Sequence, residues 1–139
     1  MTKHKALTIA IEKGDDEEIW GSIDAPGFFY TTVGRSVEEI TENFRGLVAD
    51  FLVNEGKTVP EWEGVSIDDI SFEYEYDLTA LFQVFSAIKI NSIADMAGIN
   101  KGLVRQYASG VKNASTPQAK KIEAAIRQLG ERLMHVSVA

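Results

Sequence analysis

The sequence has no cysteine, only three prolines and two histidines, and no long apolar run. Without cysteine there is no disulfide framework, no thiolate zinc site and no cysteine nucleophile. No stretch approaches the roughly 18 apolar residues needed to span a bilayer, so no membrane role is expected. The opening Met1-Thr2-Lys3-His4-Lys5 leads into alternating polar and apolar residues instead of the apolar core of a signal peptide, and a cytoplasmic location is the expectation. His4 and His135 lie near opposite ends. Glycine-rich phosphate loops, histidine metal spacings and nucleophile elbows are all missing. Asp24, Asp50, Asp68 and Asp69 make no metal-binding pattern either. These absences predict a protein that is not an enzyme, with no catalytic residue, metal or cofactor.

What is present is unevenly spread. The 139 residues carry a net charge of −7, with 45% apolar and 25% charged side chains, the balance of an ordinary globular protein. Residues 1–77 hold 6 Lys+Arg against 18 Asp+Glu, a net −12, whereas residues 78–139 hold 8 against 3, a net +5. Such asymmetry points to two parts with different partners, so domains are expected at 1–77 and 78–139.

The first half reads as strands around one helix. Leu7, Ile9 and Ile11 alternate with Thr8, Ala10 and Glu12, the period of a half-buried strand. A polar turn over 13–18 leads to a second strand at 19–23, and Asp24-Ala25-Pro26-Gly27 reads as a turn before a third, Phe28–Val33. Ser36-Val37-Glu38-Glu39 has the form of a capping box, followed by Ile40, Phe44, Leu47, Val48, Phe51 and Leu52 on one helical face. Residues 57–66 read as a loop around Pro60 and Trp62. Ile70, Phe72, Tyr74 and Tyr76 then alternate with Ser71, Glu73, Glu75 and Asp77, predicting a last strand with one wet, acidic face. The order is β-β-β-α-β. Helical patterns follow, so the fold class is α+β, with an all-α second half of four or five helices.

In that second half Asp77 is placed to cap a helix bearing Leu78, Leu81, Phe82 and Phe85. A short helix from Asn91 turns inward Ile93, Ala94 and Ala97. Gly98 supplies a turn, and Asn100 caps a helix that buries Val104 and Tyr107 and stops at Gly110. Ser115-Thr116-Pro117-Gln118 opens a last helix with a stripe at Ala119, Ile122, Ile126, Leu129 and Leu133. Two short helices joined by a small residue and a glycine make the second project as a blade. Its outward positions are Lys101, Gly102, Arg105 and Gln106. Lysine and arginine donate to guanine or phosphate, and glutamine can bond adenine bidentately. No acid occurs between Met96 and Ile122, a stretch that includes Lys101, Arg105, Lys112, Lys120 and Lys121, as approach to a polyanion requires.

The stretch "SIADMAGINKGLVRQYASGVKNAS" resembles the lambda-repressor-like (Cro/C1, XRE) helix-turn-helix family. Ala94, Gly98, Gly110 and Ser115 stand at that family's small residue, turn glycine, post-helix glycine and next-helix serine. The resemblance covers about residues 78–130. It implies base-edge contacts at Lys101, Gly102 and Gln106, with Arg105 and Asn100 on the same helix. It also implies phosphate contacts around Asn91 and Ser92 and in the loop Lys112-Asn113. Gly102 lacks a side chain where many relatives place a reader.

With that module appended, the β-β-β-α-β order and the stretch "DAPGFFYTTVGRSVEEITENFRGLVADFL" resemble the HicB antitoxin family. Pro26, Gly27, Gly34, Ser36, Glu38 and Glu39 fit its strand–turn–strand–helix pattern. Phe28 and Phe29 depart from its usual leucine-proline-glycine-cysteine run. The resemblance implies an antitoxin that neutralises a HicA-like, small, basic RNA-cleaving toxin through the first domain. It also implies repression of its own operon by binding double-stranded operator DNA, as a homodimer or higher homo-oligomer. Glu73 and Glu75 are the candidate toxin-interface residues, and the tail 134–138, which alternates like a strand, is the candidate dimer contact. Two other readings stay open: a stand-alone transcription regulator with a ligand-sensing first domain, and an interaction module without DNA binding.

Overall fold

A computed structural model describes residues 4–139, which are α+β, with one four-stranded mixed sheet and five α-helices among the described residues. None of those helices is long and apolar enough to cross a membrane. The chain divides into two compact units, Met1–Ala80 and Leu81–Ala139, and the division falls within a short helix, Leu78–Val84.

The first unit holds strands β1 (Lys5–Lys13), β2 (Ile19–Ala25), β3 (Phe28–Gly34) and β4 (Ile70–Tyr76), in the spatial order β3-β2-β1-β4. β2 lies antiparallel between β1 and β3, and β4 joins β1 in parallel. A hairpin turn at Pro26-Gly27 links β2 to β3. Gly27 takes φ 88° there, a value side chains adopt only with strain.

Helix α1 (Val37–Val53) carries the chain from the β3 edge to the β4 edge across one face. Ser36 Oγ accepts the Glu39 N–H at 3.1 Å. The Glu39 carboxylate does not return to the Ser36 N–H as the expected box requires. It accepts the Arg35 N–H at 3.0 Å, one residue further out. Ile40, Phe44, Val48 and Phe51 form a buried stripe against Leu7, Ile9, Ile11, Ile19 and Ile23. Gly21 admits the helix to this depth, because a Cβ there would come within 2.7 Å of Ile40 Cγ2 and 2.9 Å of Phe44 Cε2.

Residues 57–66, expected to be a plain loop, are part of a segment wound into short 3₁₀ turns at Glu55–Thr58, Pro60–Trp62 and Ile67–Asp69. The ordering residue is Trp62. It is buried edge-on to Phe51, and its indole N–H donates to the Pro26 carbonyl at 2.6 Å. A buried indole needs such an acceptor, and the bond ties this segment to the β2–β3 turn. On β4, Ile70 is buried and Phe72 lies half-buried under the Arg45 guanidinium, while Tyr74 is exposed with its hydroxyl 2.7 Å from Thr41 Oγ1. The inner face of this edge strand is therefore covered unevenly, Tyr76 being half-buried again after the exposed Tyr74, and Glu73 and Glu75 are exposed on the other face. Burial, then Glu55 and Asp50, raise the Tyr30 phenol above its ordinary value of 10.0. Burial, then Tyr74 and Glu38, raise Tyr76.

Helix α2 (Leu78–Val84) begins after Asp77, whose carboxylate accepts the Ala80 N–H at 2.7 Å. Phe85 falls beyond its end and is exposed. The second unit is built on α3 (Ile90–Ala97), α4 (Lys101–Ser109) and α5 (Thr116–Met134), with Ile93, Ala94, Ile99, Val104, Tyr107, Ile122 and Ala125 buried. Ser115 Oγ accepts the Gln118 N–H at 3.3 Å to start α5. The tail corrects one expectation. Met134 belongs to α5, His135 closes that helix, and residues 136–139 have no regular structure, so there is no strand at 134–138. A short alternation cannot form a strand without a neighbour to pair with, and the helix-favouring run before it propagates through Met134 instead.

Phe44→Ala should cost about 3–5 kcal/mol, since it empties the centre of the helix–sheet layer. Urea unfolding followed by circular dichroism measures this, and a loss below about 1 kcal/mol would contradict the placement of the core.

Candidate nucleic-acid interface

Helices α3 and α4 are joined by a short connection. Gly98 ends α3 with its backbone in the left-handed region (φ 70°, ψ 32°), and its N–H reaches the carbonyls of Ala94 and Asp95. A Cβ on Gly98 would meet nothing within 4 Å. The glycine is therefore required by its dihedral angles and not by crowding. Ile99 is buried, and Asn100 caps α4 by accepting the Leu103 N–H on Oδ1 at 3.2 Å. Val104 and Tyr107 fix the inner side of α4, with α3 packed against both α4 and α5. Gly110, at φ 84°, ends the helix.

With that inner side fixed, Lys101, Gly102 and Arg105 are exposed and Gln106 is half-buried. Asn91, Ser92 and Asn100 are exposed around the start of α3 and of α4, as are Lys112 and Asn113 in the loop before α5. The nine residues named from the sequence thus all lie in the second unit, eight of them exposed. α3 begins at Ile90, after Lys89, so Asn91 sits inside the first turn and does not start it. Gly102 has a local steric basis, because a Cβ there would approach the capping Asn100 Oδ1 to 3.1 Å.

Two contacts between the helices were not legible in the sequence. Arg105 donates from Nε and Nη2 to Asn91 Oδ1, at 3.1 and 2.8 Å. Lys101 Nζ lies 3.6 Å from an Asp95 carboxylate oxygen. One amide oxygen thus accepts from both Nε and Nη2 of Arg105 and leaves its remaining N–H groups for another acceptor. Asp95 is a carboxylate directly beside the start of α4. Both partners of its ion pair are largely exposed, so the pair is weak and easily exchanged. Further along, Glu123 is shared by Lys120 (3.2 Å) and Arg127 (3.1 Å), which takes Lys120 out of the set of unpaired cations. The site can therefore offer cationic and amide donors to phosphate or base edges.

Spacing along one chain could not reveal these pairs, since each joins residues of different helices. Sequence position alone gives Asn91 as a helix start and a phosphate contact, and gives Asp95 no partner.

Gly98→Ala should lower stability by about 1 kcal/mol through left-handed strain, and Asn100→Ala by a similar amount through the lost cap. Thermal unfolding of the full chain reads both, and an unchanged Tm for either would remove that residue's structural role. Comparison with protein-family models, curated proteins and solved structures finds no match to this chain.

Proposed function

We propose that the chain is a HicB-like antitoxin. In this reading the second unit is a lambda-repressor-like helix-turn-helix that binds double-stranded operator DNA. The first unit, through an acidic surface that includes Glu73 and Glu75, neutralises a HicA-like basic toxin. Support for DNA binding comes chiefly from α4. Its inner side is locked by Val104 and Tyr107, its N-terminus is capped, and Lys101, Arg105 and Gln106 stand along its outer side. A rigid helix with a basic and amide face is the element that enters a major groove. In this reading Asn91 and Ser92 near the start of α3, and Lys112 and Asn113 ahead of α5, all exposed, are the phosphate contacts. Gly102 contributes close backbone approach only.

Support for the toxin-binding role is electrostatic. The −12 of residues 1–77 attracts a basic partner and the +5 of residues 78–139 attracts DNA. Two-fold operators are read by dimers with half-sites about 34 Å apart, so the working form is a homodimer or higher homo-oligomer. The exposed Leu133 and Met134 at the end of α5 are its contact in this proposal, as helix and not as strand.

Arg105→Ala and Gln106→Ala should each weaken binding of the full chain to its own promoter by about 1–3 kcal/mol. The affinity of the unaltered chain should also fall steeply with salt. Gel shifts at two salt concentrations read both effects, and a flat salt response with unchanged variants would leave the interaction-module reading in its place. Co-expression with the adjacent gene should yield a stable complex with a small basic protein. If no such protein co-purifies, the antitoxin reading fails even where DNA binding holds.

A further inference from the structure

The side of the first unit's sheet turned away from α1 has a composition of its own. Strand parity puts Leu7, Ile9, Ile11, Ile19 and Ile23 under α1, and it puts Lys5 and Lys13, the cations of β1, on that same parity. The opposite side receives Thr8, Glu12, Trp20, Asp24, Phe29, Thr31, Glu73 and Glu75, all exposed. Trp20 is 46% and Phe29 63% exposed, although both are large aromatics. No element of residues 4–80 covers them, and the strand residues of this side include no Lys or Arg.

The register makes this more than an acidic surface with loose apolar residues. Glu12 lies directly across from Trp20, and Asp24 directly across from Phe29. Each exposed ring thus has a carboxylate as its directly opposite cross-strand neighbour, a position within side-chain contact range in an antiparallel pair. The Trp20 ring is also held in place, because it lies against Gly14 so closely that a Cβ on that glycine would come 2.6 Å from Trp20 Cδ1. None of Glu12, Asp24, Glu73 and Glu75 forms an ion pair with a described residue.

A ring face beside a carboxylate binds a guanidinium or ammonium twice over, by cation–π attraction and by charge. Here two such pairs occur, and Trp20 and Asp24 are four residues apart on β2, about 13 Å. Glu73 and Glu75 extend the negative field across β4, with Glu75 in one cross-strand row with Ala10 and Ser22. We propose that this open side, centred on the Trp20–Glu12 and Phe29–Asp24 pairs, is a docking surface for a basic protein segment that presents two arginine or lysine heads about 13 Å apart. A second copy of this chain does not fit the same place, since pairing face to face would set carboxylates against carboxylates. The inference rests on the reading of the first unit as the binder of a basic partner, and it specifies which surface binds and by what chemistry.

The test is an NMR titration of the full-length chain, watching the two tryptophan indole N–H resonances. The probe is a short extended peptide with arginines four residues apart, and its control is the same peptide with citrulline, which is neutral and of the same shape. The Trp20 signal should shift saturably with the arginine peptide and not with citrulline. The Trp62 signal should stay in place, because that indole is buried on the Pro26 carbonyl. Glu12→Gln with Asp24→Asn should weaken binding about tenfold, and Phe29→Ala about fivefold. Asp15→Asn with Asp16→Asn, which removes the same charge from the β1–β2 turn, should leave it nearly unchanged. No shift at Trp20, or equal losses in the two charge-removed chains, would overturn the proposal. Such a failure is separable from failure of the antitoxin reading. A Trp20→Ala, Phe29→Ala chain that still co-purifies with the adjacent gene's basic product at undiminished affinity sinks this surface and leaves that reading standing.

Discussion

The first unit depends on how closely α1 can approach the middle of the sheet. That distance is set where Ile40 and Phe44 lie over Gly21, a position that has no room for even a methyl group. The helix buries its stripe at Ile40, Phe44, Val48 and Phe51 and crosses from the β3 edge to the β4 edge while doing so. That crossing is what delivers β4 to β1 in parallel. It also settles the chemistry of the far side, because period-2 parity divides each strand once the helix has claimed one face. Everything exposed on that far side follows from which face α1 occupies.

Much of this was legible because it is periodic and local. The alternation at Leu7–Ile11 gave β1 its inner face, and the i, i+3, i+4 recurrence from Ile40 gave α1 its stripe. Ser36, Asp77, Asn100 and Ser115 each signalled a helix start and each accepts the expected N–H. Gly98 reads as a turn glycine and Gly110 as a helix stop, and both take left-handed backbones. Illegible features were those that join distant residues. Trp62 sits in a polar segment that reads as loop, and its order comes from Phe51 and the Pro26 carbonyl, neither adjacent in sequence. Arg105 with Asn91, and Lys101 with Asp95, meet only because α3 and α4 cross. The tail misled for the opposite reason. Its alternation is real, but a strand exists only with a partner strand, and α5 extends into that stretch first.

The candidate interface on α4 shows how a side chain's usefulness depends on what holds it. A free arginine loses conformational entropy when it takes up one geometry, a cost that preorganisation lowers. Asn91 reduces that cost for Arg105 by engaging Nε and Nη2 together. Lys101 has no comparable support, since its carboxylate partner is exposed and 3.6 Å away. On this basis Arg105 is the ordered cation of α4 and Lys101 the adaptable one.

A sequence pI of about 4.8 would ordinarily speak against a nucleic-acid partner. The objection assumes that one net charge governs every encounter. At physiological ionic strength, charges more than about 8 Å apart are largely screened from one another, so an approaching macromolecule responds to the surface in front of it. Before α4 it meets Lys101, Arg105 and Lys112 with Asp95 as the nearby carboxylate. Before the open side of the sheet it meets Glu12, Asp24, Glu73 and Glu75 with no cation among the strand residues there. The net charges of residues 1–77 and 78–139 are of opposite sign, and within the sheet strand parity separates Lys5 and Lys13 from Glu12, Asp24, Glu73 and Glu75. A net charge of −7 is a property of the whole chain, whereas an encounter with a macromolecule is governed by the local field it meets.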